Sequence, residues 1–258
     1  MAAQQNAPKD ERAIGARPVG ATTDQDAAAN VQQMFDTIAP KYDLLNHVLS
    51  VGIDRWWWSR TARTFRPILQ RPEAVALDLC CGTGDMTLAL LKHRPGGSNE
   101  APILAVDFSH PMLSRGAEKF ASRNILPIEA DALHLPLADN SIDLVTSAFG
   151  FRNLSNYEAG LSELHRILRP SGQIGILDFN QPEGVTGALY NLYFKQILPR
   201  LGGLISGDPA AYTYLPASVA RFPRPPRMIE LITQAGFTHS TWTSYTFGTA
   251  GLYRATKP

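Results

Sequence analysis

Residues 80–85, Cys-Cys-Gly-Thr-Gly-Asp, set two glycines around a threonine directly after the apolar run 75–80. That run, broken only by Asp78, suits a strand buried on both faces of a parallel sheet. The glycines let the backbone turn tightly and approach a ligand with no Cβ in the way. Residues 86–92 read as a helix whose first amides face the turn, with Asp85 as its expected cap. Gly82 and Thr83 are therefore candidate ligand contacts. Two acids follow at informative positions. Asp107 ends a second apolar run, ILAVD, 23 residues beyond Gly84, near the roughly 20-residue offset at which a carboxylate meets a ribose. Asp131, with Ala132, lies just past a third run, where a carboxylate can accept from an adenine amine. The plainer readings are a helix cap for Asp107, a task Ser109 could fill, and an exposed turn for Asp131.

The dinucleotide fingerprint wants a third glycine three residues after the second, and position 87 is threonine. This counts against a pyrophosphate resting on the helix. The other ligand of such a turn is S-adenosylmethionine (SAM), which offers an amino-acid head group, a sulfonium and an adenosine, and the spacing of the acids fits it.

The elements that would hold these residues form an alternating series. Residues 141–149 and 173–179 read as fourth and fifth strands, 111–120 and 158–168 as helices between strands, and 237–255 as two closing strands turning near 248–251. Five strands alternating with helices give an open, mostly parallel sheet with ligands beyond the strands' carboxyl ends. Before them, residues 30–38, 42–49 and 55–68 carry helical spacing, and the last starts with three tryptophans whose density points to a packed patch covering the mouth of the sheet. Residues 186–205 are apolar nearly all round, as expected of a buried helix or one that meets something greasy. Residues 221–227, rich in proline and arginine, read as a loop, and 228–235 as a helix. The organisation expected is a disordered tail over 1–29 and one domain over 30–258. Within it, 30–74 form a helical cap, 75–182 the cofactor-binding core, 183–235 a substrate-side helical insertion, and 236–258 the closing strands.

Composition narrows the class. With 258 residues, 44% of them hydrophobic and 18% charged, the chain can bury a sizeable core as a globular enzyme. A net charge of +1 and no dense Lys/Arg cluster give no sign of nucleic acid. The two cysteines are adjacent, which suits a reducing compartment, and no run is long enough to span a bilayer or reads as a secretory leader. The expected address is the cytoplasm. No Cys/His grouping has metal-ligand spacing.

Several separated stretches resemble one family. Phe35-Asp36-x-Ile38-Ala39-x-x-Tyr42-Asp43-x-x-Asn46 followed by Ser50, then Phe149-Gly150-x-Arg152-Asn153, then residues 166–172 running into Asp178-x-Asn180, and later Leu198-Pro199-x-x-Gly202 and Tyr212-x-Tyr214-Leu215-x-x-Ser218, are similar to the ubiquinone/menaquinone biosynthesis C-methyltransferases. The departures are mild: Leu45 for methionine, Asp54 for histidine, and Ser171, Asp178 and Asn180 for glycine, glutamate and serine. The resemblance implies a class I SAM-dependent methyltransferase, a Rossmann-like α/β fold with a mostly parallel seven-stranded sheet, helices on both faces and an N-terminal helical cap. By position it puts cofactor contacts on Thr83, Asp107, Asp131 and Ala132, beside Gly82 from the turn. Where some members have a contacting serine, this chain has Ala148. The Cys81-Gly82-Thr83 form of the turn looks more like the menaquinone-pathway members.

The substrate so implied is a demethylated quinol with an isoprenoid tail, methylated on ring carbon. The reduced ring is expected to react, because losing a phenolic proton makes its carbon nucleophilic in a dry pocket. Arg152 is the candidate catalytic residue, stabilising the phenolate directly or through water, against a structural role at helix ends or carbonyls. His47 and His134 are candidate bases and His165 reads as structural. The apolar stretch 186–205 would line a groove for the tail and touch a membrane peripherally. Rival readings are a methyltransferase for a benzoquinol or another lipophilic acceptor, a SAM-binding subunit without catalysis, and a nicotinamide oxidoreductase.

Overall fold

The computed structural model describes residues 15–41, 52–97, 100–182, 187 and 209–258. Among them are eight α-helices and a seven-stranded sheet. The first helix, α1 (Asp24–Ile38), starts from Thr23. The Thr23 hydroxyl accepts from the Asp26 amide at 3.0 Å while the Asp26 carboxylate accepts from the Thr23 amide at 3.0 Å, so two orphan donors of the first turn are satisfied reciprocally. The helix thus begins inside the stretch expected to be a disordered tail. Upstream of it, Ala16 is buried and its amide donates to the Leu154 carbonyl. A capping pair can start a helix ahead of any apolar period, which is why composition misplaced this boundary.

After a helix α2 (Ile53–Thr64) and a short α3 (Arg66–Leu69), the chain alternates: β1 (Ala76–Leu79), α4 (Asp85–Leu91), β2 (Ile103–Asp107), α5 (His110–Phe120), β3 (Ile125–Glu129), β4 (Ile142–Ala148), α6 (Tyr157–Ile167) and β5 (Leu168–Phe179). It closes with α7 (Pro209–Arg221), α8 (Pro225–Gln234), β6 (Thr238–Tyr245) and β7 (Ala250–Thr256). The strand order is β3-β2-β1-β4-β5-β7-β6, and β7 pairs antiparallel with both its neighbours. This is the expected seven-stranded sheet.

Successive residues of the central strands face opposite layers. Leu77, Leu79, Leu104, Val106 and Val145 pack with α6 and α8 in one cluster; Ala76, Ile103 and Leu144 pack with Trp57, Phe65, Leu69 and Leu90 of the other layer in a second. Each such leucine or isoleucine contributes about 1.5–3 kcal/mol on burial. Because both faces are covered, the strands lack polar alternation, as their sequences suggested.

Four local expectations are revised. The long helix expected over 55–68 is two helices, split at Phe65, whose ring is buried. The helix cap is Gly84, at φ +86°, and Asp85 is the first helical residue instead. The fifth strand starts at Leu168, which pairs with Ile142 of β4, while Ser171 and Gly172 bond Lys257 just past β7. Residues 221–227 are not one loop: α7 runs to Arg221 and α8 starts at Pro225, a residue whose missing N–H does no harm in a first turn. The stretches 42–49 and 186–205 lie outside the described residues, apart from Gly187.

Candidate active site

The carboxyl ends of β1, β2 and β4 converge on two adjoining cavities. The larger, open to solvent, spans about 720 Å³ and is lined by Gly82, Asp107, Asp131 and Ala132 together with apolar groups such as Phe108 and Met112. The smaller, about 350 Å³, is lined by Asp78, Thr83, Asp85, Met86, Ala148 and Trp58. Cys80 and Phe149 line both.

Those two shared residues have unusual backbones. Cys80 directly follows β1 at φ +54° and Phe149 directly follows β4 at φ +59°, the left-handed region that costs a side-chain-bearing residue about 1–3 kcal/mol. Gly150 makes the approach feasible, because a Cβ there would come within 2.3 Å of the Cys80 Cβ. The strain sits where the two strands splay apart and the cavities begin.

Asp107 is nearly buried. Its carboxylate accepts from the Gly82 amide at 2.8 Å and from the Ser109 amide at 3.0 Å. Burial raises its pKa to about 6 against those amide bonds. The acid therefore ties the glycine turn to the end of β2, and Ser109, not Asp107, caps α5. Asp131 lies at the rim with its side chain 53% exposed, accepting from the Leu133 amide at 2.9 Å and facing His134 Nδ1 at 3.3 Å. It combines the turn role with a place on the cavity wall. Helix α1 supplies a further wall through Ala28 and Phe35, held there by Gln32, which donates to the Phe108 carbonyl at 2.8 Å, and by the Ser109 hydroxyl, which donates to Asp36 at 2.5 Å.

Thr83 is buried and does not share a cavity with Asp107 and Asp131; its hydroxyl accepts from Lys119 Nζ at 3.1 Å and it faces the smaller space. Arg152 is also set apart. Its guanidinium donates to Asp178 at 2.9 Å and to the Phe149 carbonyl, its amide donates to Asp178 at 3.0 Å, and it lies over the Phe179 ring. The neighbouring Asn153 and Leu154 line the larger cavity, not Arg152. Burial raises the Asp178 pKa while Arg152 opposes it. His165 packs edge-on against Phe237 as a structural residue, and His47 lies outside the described residues.

Sequence reasoning missed Asp78. Fully buried within β1, it accepts from the Thr87 hydroxyl at 2.6 Å and the Thr146 hydroxyl at 3.0 Å, and burial holds its pKa up at about 7. The available signal was a lone acid interrupting an apolar strand.

The donor set fits SAM. An acid closing β2 beside an apolar slot suits an adenosine, and the acidic, hydroxyl-bearing smaller cavity suits an amino-acid head group. No group of three or more His, Cys, Asp or Glu residues placed to hold a metal occurs among the described residues.

The seven-stranded sheet and its site define a class I SAM-dependent methyltransferase. The solved fold of a SAM-dependent methyltransferase of Thermotoga maritima superposes with a TM-score of 0.60 at 19% identity, covering 88% of this chain and all of that one. More narrowly, residues 22–257 match the ubiE/COQ5 methyltransferase family, and the chain belongs to it. It is 43% identical over 239 residues to the demethylmenaquinone methyltransferase of Deinococcus radiodurans, covering 92% of this chain and 95% of that protein. The corresponding Thermus thermophilus enzyme is 42% identical over 87% of this chain and 100% of that protein.

Proposed function

We propose that this chain methylates the ring carbon of demethylmenaquinol. The observation that carries the reading is the match to demethylmenaquinone methyltransferases along nearly their whole length, on a chain with two cavities meeting at the ends of β1 and β4. When bound, SAM supplies an electrophilic methyl on its sulfonium. The protein's part is to bind, orient and keep the site dry. Asp107 and Gly82 would hold the ribose end, Asp131 and Ala132 would flank the base, and Thr83 with Asp78 would face the amino-acid end. Phe149, shared by both cavities, marks where an acceptor ring would meet the methyl. The acceptor suited to that methyl is the reduced ring, whose carbon becomes nucleophilic on loss of a phenolic proton; the ring hydrogen that the methyl would replace would leave as the one proton released, the phenolic oxygen regaining its own. Holding carbon and methyl about 3–3.5 Å apart in a water-poor pocket supplies much of the rate.

In this reading Arg152 is a positioning residue. Clamped to Asp178 and Phe149, it fixes the segment whose Phe149, Gly150, Asn153 and Leu154 line the larger cavity. The deciding experiment is a methylation assay with demethylated naphthoquinol and benzoquinol, each supplied oxidised and reduced. Transfer to the reduced naphthoquinol is expected. Transfer only to oxidised rings would overturn the chemistry, and a preference for the benzoquinol would reassign the substrate.

A further inference from the structure

We propose that the outer face of α2, together with the turn joining β6 to β7, is the surface by which this protein docks on a negatively charged lipid bilayer; the inference rests on the lipophilic acceptor proposed above. The three consecutive tryptophans divide by helical phase. Trp57 and Trp58 turn inward and are buried, whereas Trp56 is 48% exposed. Ile53, Arg60 and Arg63 are exposed at the spacings that put them on the same side as Trp56. Across from them, Phe247 is 86% exposed in the turn Thr246–Gly248. Its φ of +55° is a conformation that glycine or asparagine adopts far more cheaply. Among the described residues, neither the backbone nor packing accounts for a phenylalanine there.

The two elements form one surface. Trp57 Nε1 donates to the Thr246 hydroxyl at 2.8 Å, the Trp56 ring meets Tyr245 edge-on at 5.7 Å, and the Arg60 guanidinium lies 5.2 Å from the Trp56 ring and 5.0 Å from that of Tyr245. Among the described residues the other large exposed apolar side chains, Val19 and Leu126, lie elsewhere in the fold, a scatter that carries no message.

Charge selects the occupant. From Ile53 to Leu69 the helices carry Arg55, Arg60, Arg63 and Arg66, and their single acid, Asp54, is buried. On a chain of net charge +1 this is a local concentration. Aromatic rings with arginines snorkelling around them suit the headgroup zone of an anionic bilayer. The place in the fold is also suited to the task. Ala250, just after the turn, pairs with Phe179 at the carboxyl end of β5. Behind Trp56, the Trp57 ring lies 5.5 Å from that of Phe149, the residue both cavities share. A lipophilic acceptor leaving the bilayer at this face would have a short path to the site.

The test is sedimentation of the full chain with vesicles of phosphatidylcholine, alone or mixed with phosphatidylglycerol. Binding to the mixed vesicles, weakening as salt rises, is expected. Phe247→Asn, which tolerates the left-handed backbone, combined with Trp56→Ser should lower partitioning about tenfold or more. Arg60→Gln with Arg63→Gln should lower it by a similar factor on the anionic vesicles alone. Methyl transfer to a water-soluble, tail-less demethylated quinol should be unchanged in the variants, while transfer to a vesicle-borne long-tailed quinol falls. Equal partitioning of Phe247→Asn and the parent, absence of binding to anionic vesicles, or self-association that Phe247→Asn abolishes would each overturn the proposal. Failure of every protein to methylate the tail-less quinol would instead overturn the substrate reading and leave the vesicle result standing.

Discussion

The Thr87 hydroxyl donates to the Asp78 carboxylate at 2.6 Å, joining the first turn of α4 to the middle of β1. In a dinucleotide-binding turn glycine would stand at position 87; here threonine holds a buried acid beneath the site. Thr87→Val removes one bond to that carboxylate and should destabilise the protein by about 1–3 kcal/mol at pH 8, with a smaller loss near pH 5, measured by urea unfolding.

Asp78 also sets a pH dependence. Its carboxyl is raised from an ordinary 3.8 to about 7, by burial first, against the bonds from Thr87 and Thr146. A raised carboxyl contributes stability that is full below the unfolded pKa and is lost as pH climbs through the folded one. The stability of the parent relative to Asp78→Asn should therefore decline between about pH 4 and 7, on the order of 1 kcal/mol per pH unit, and level off above. Urea midpoints across that range, flat in their difference, would contradict this.

Cofactor affinity should respond to Asp107. With its carboxyl raised to about 6, the ionised form that can accept from a ribose hydroxyl is lost as pH falls through that value. Calorimetry should show SAM affinity dropping below about pH 6, and Asp107→Asn should weaken binding and flatten the profile.

Arg152→Ala leaves Asp178 buried beside no guanidinium and should destabilise the fold by about 3–5 kcal/mol. Replacing both partners, Arg152→Met with Asp178→Leu, should recover most of that loss. In the folded fraction, Arg152→Ala should lower kcat while SAM affinity stays within about threefold; loss of SAM affinity would move Arg152 into cofactor binding.

Gly84 combines φ +86° with a neighbour too close for a side chain, since a Cβ would lie 2.2 Å from the Phe120 ring. Gly84→Ala should destabilise by about 2–4 kcal/mol, from the left-handed backbone and from overpacking. Phe120→Leu in the same chain should relieve only the second part, which thermal unfolding of the three variants would separate.

The sequence by itself determined the alternation of strands and helices, the glycine turn and the acid ending β2, because buried parallel strands and tight turns impose local residue patterns that need no partner to be read. It also supplied the family, since motifs such as Phe149-Gly150-x-Arg152-Asn153 survive as strings. Only the tertiary structure decided that Thr83 and Asp107 face different cavities, that Arg152 is clamped by Asp178, that α1 walls the site, and that Trp56 and Phe247 share a face. Each of these depends on residues far apart in the chain being brought together, as Arg152 and Asp178 are across β4 and β5. Side-chain direction at such meetings is set by packing between layers, and no spacing along one strand or helix encodes it.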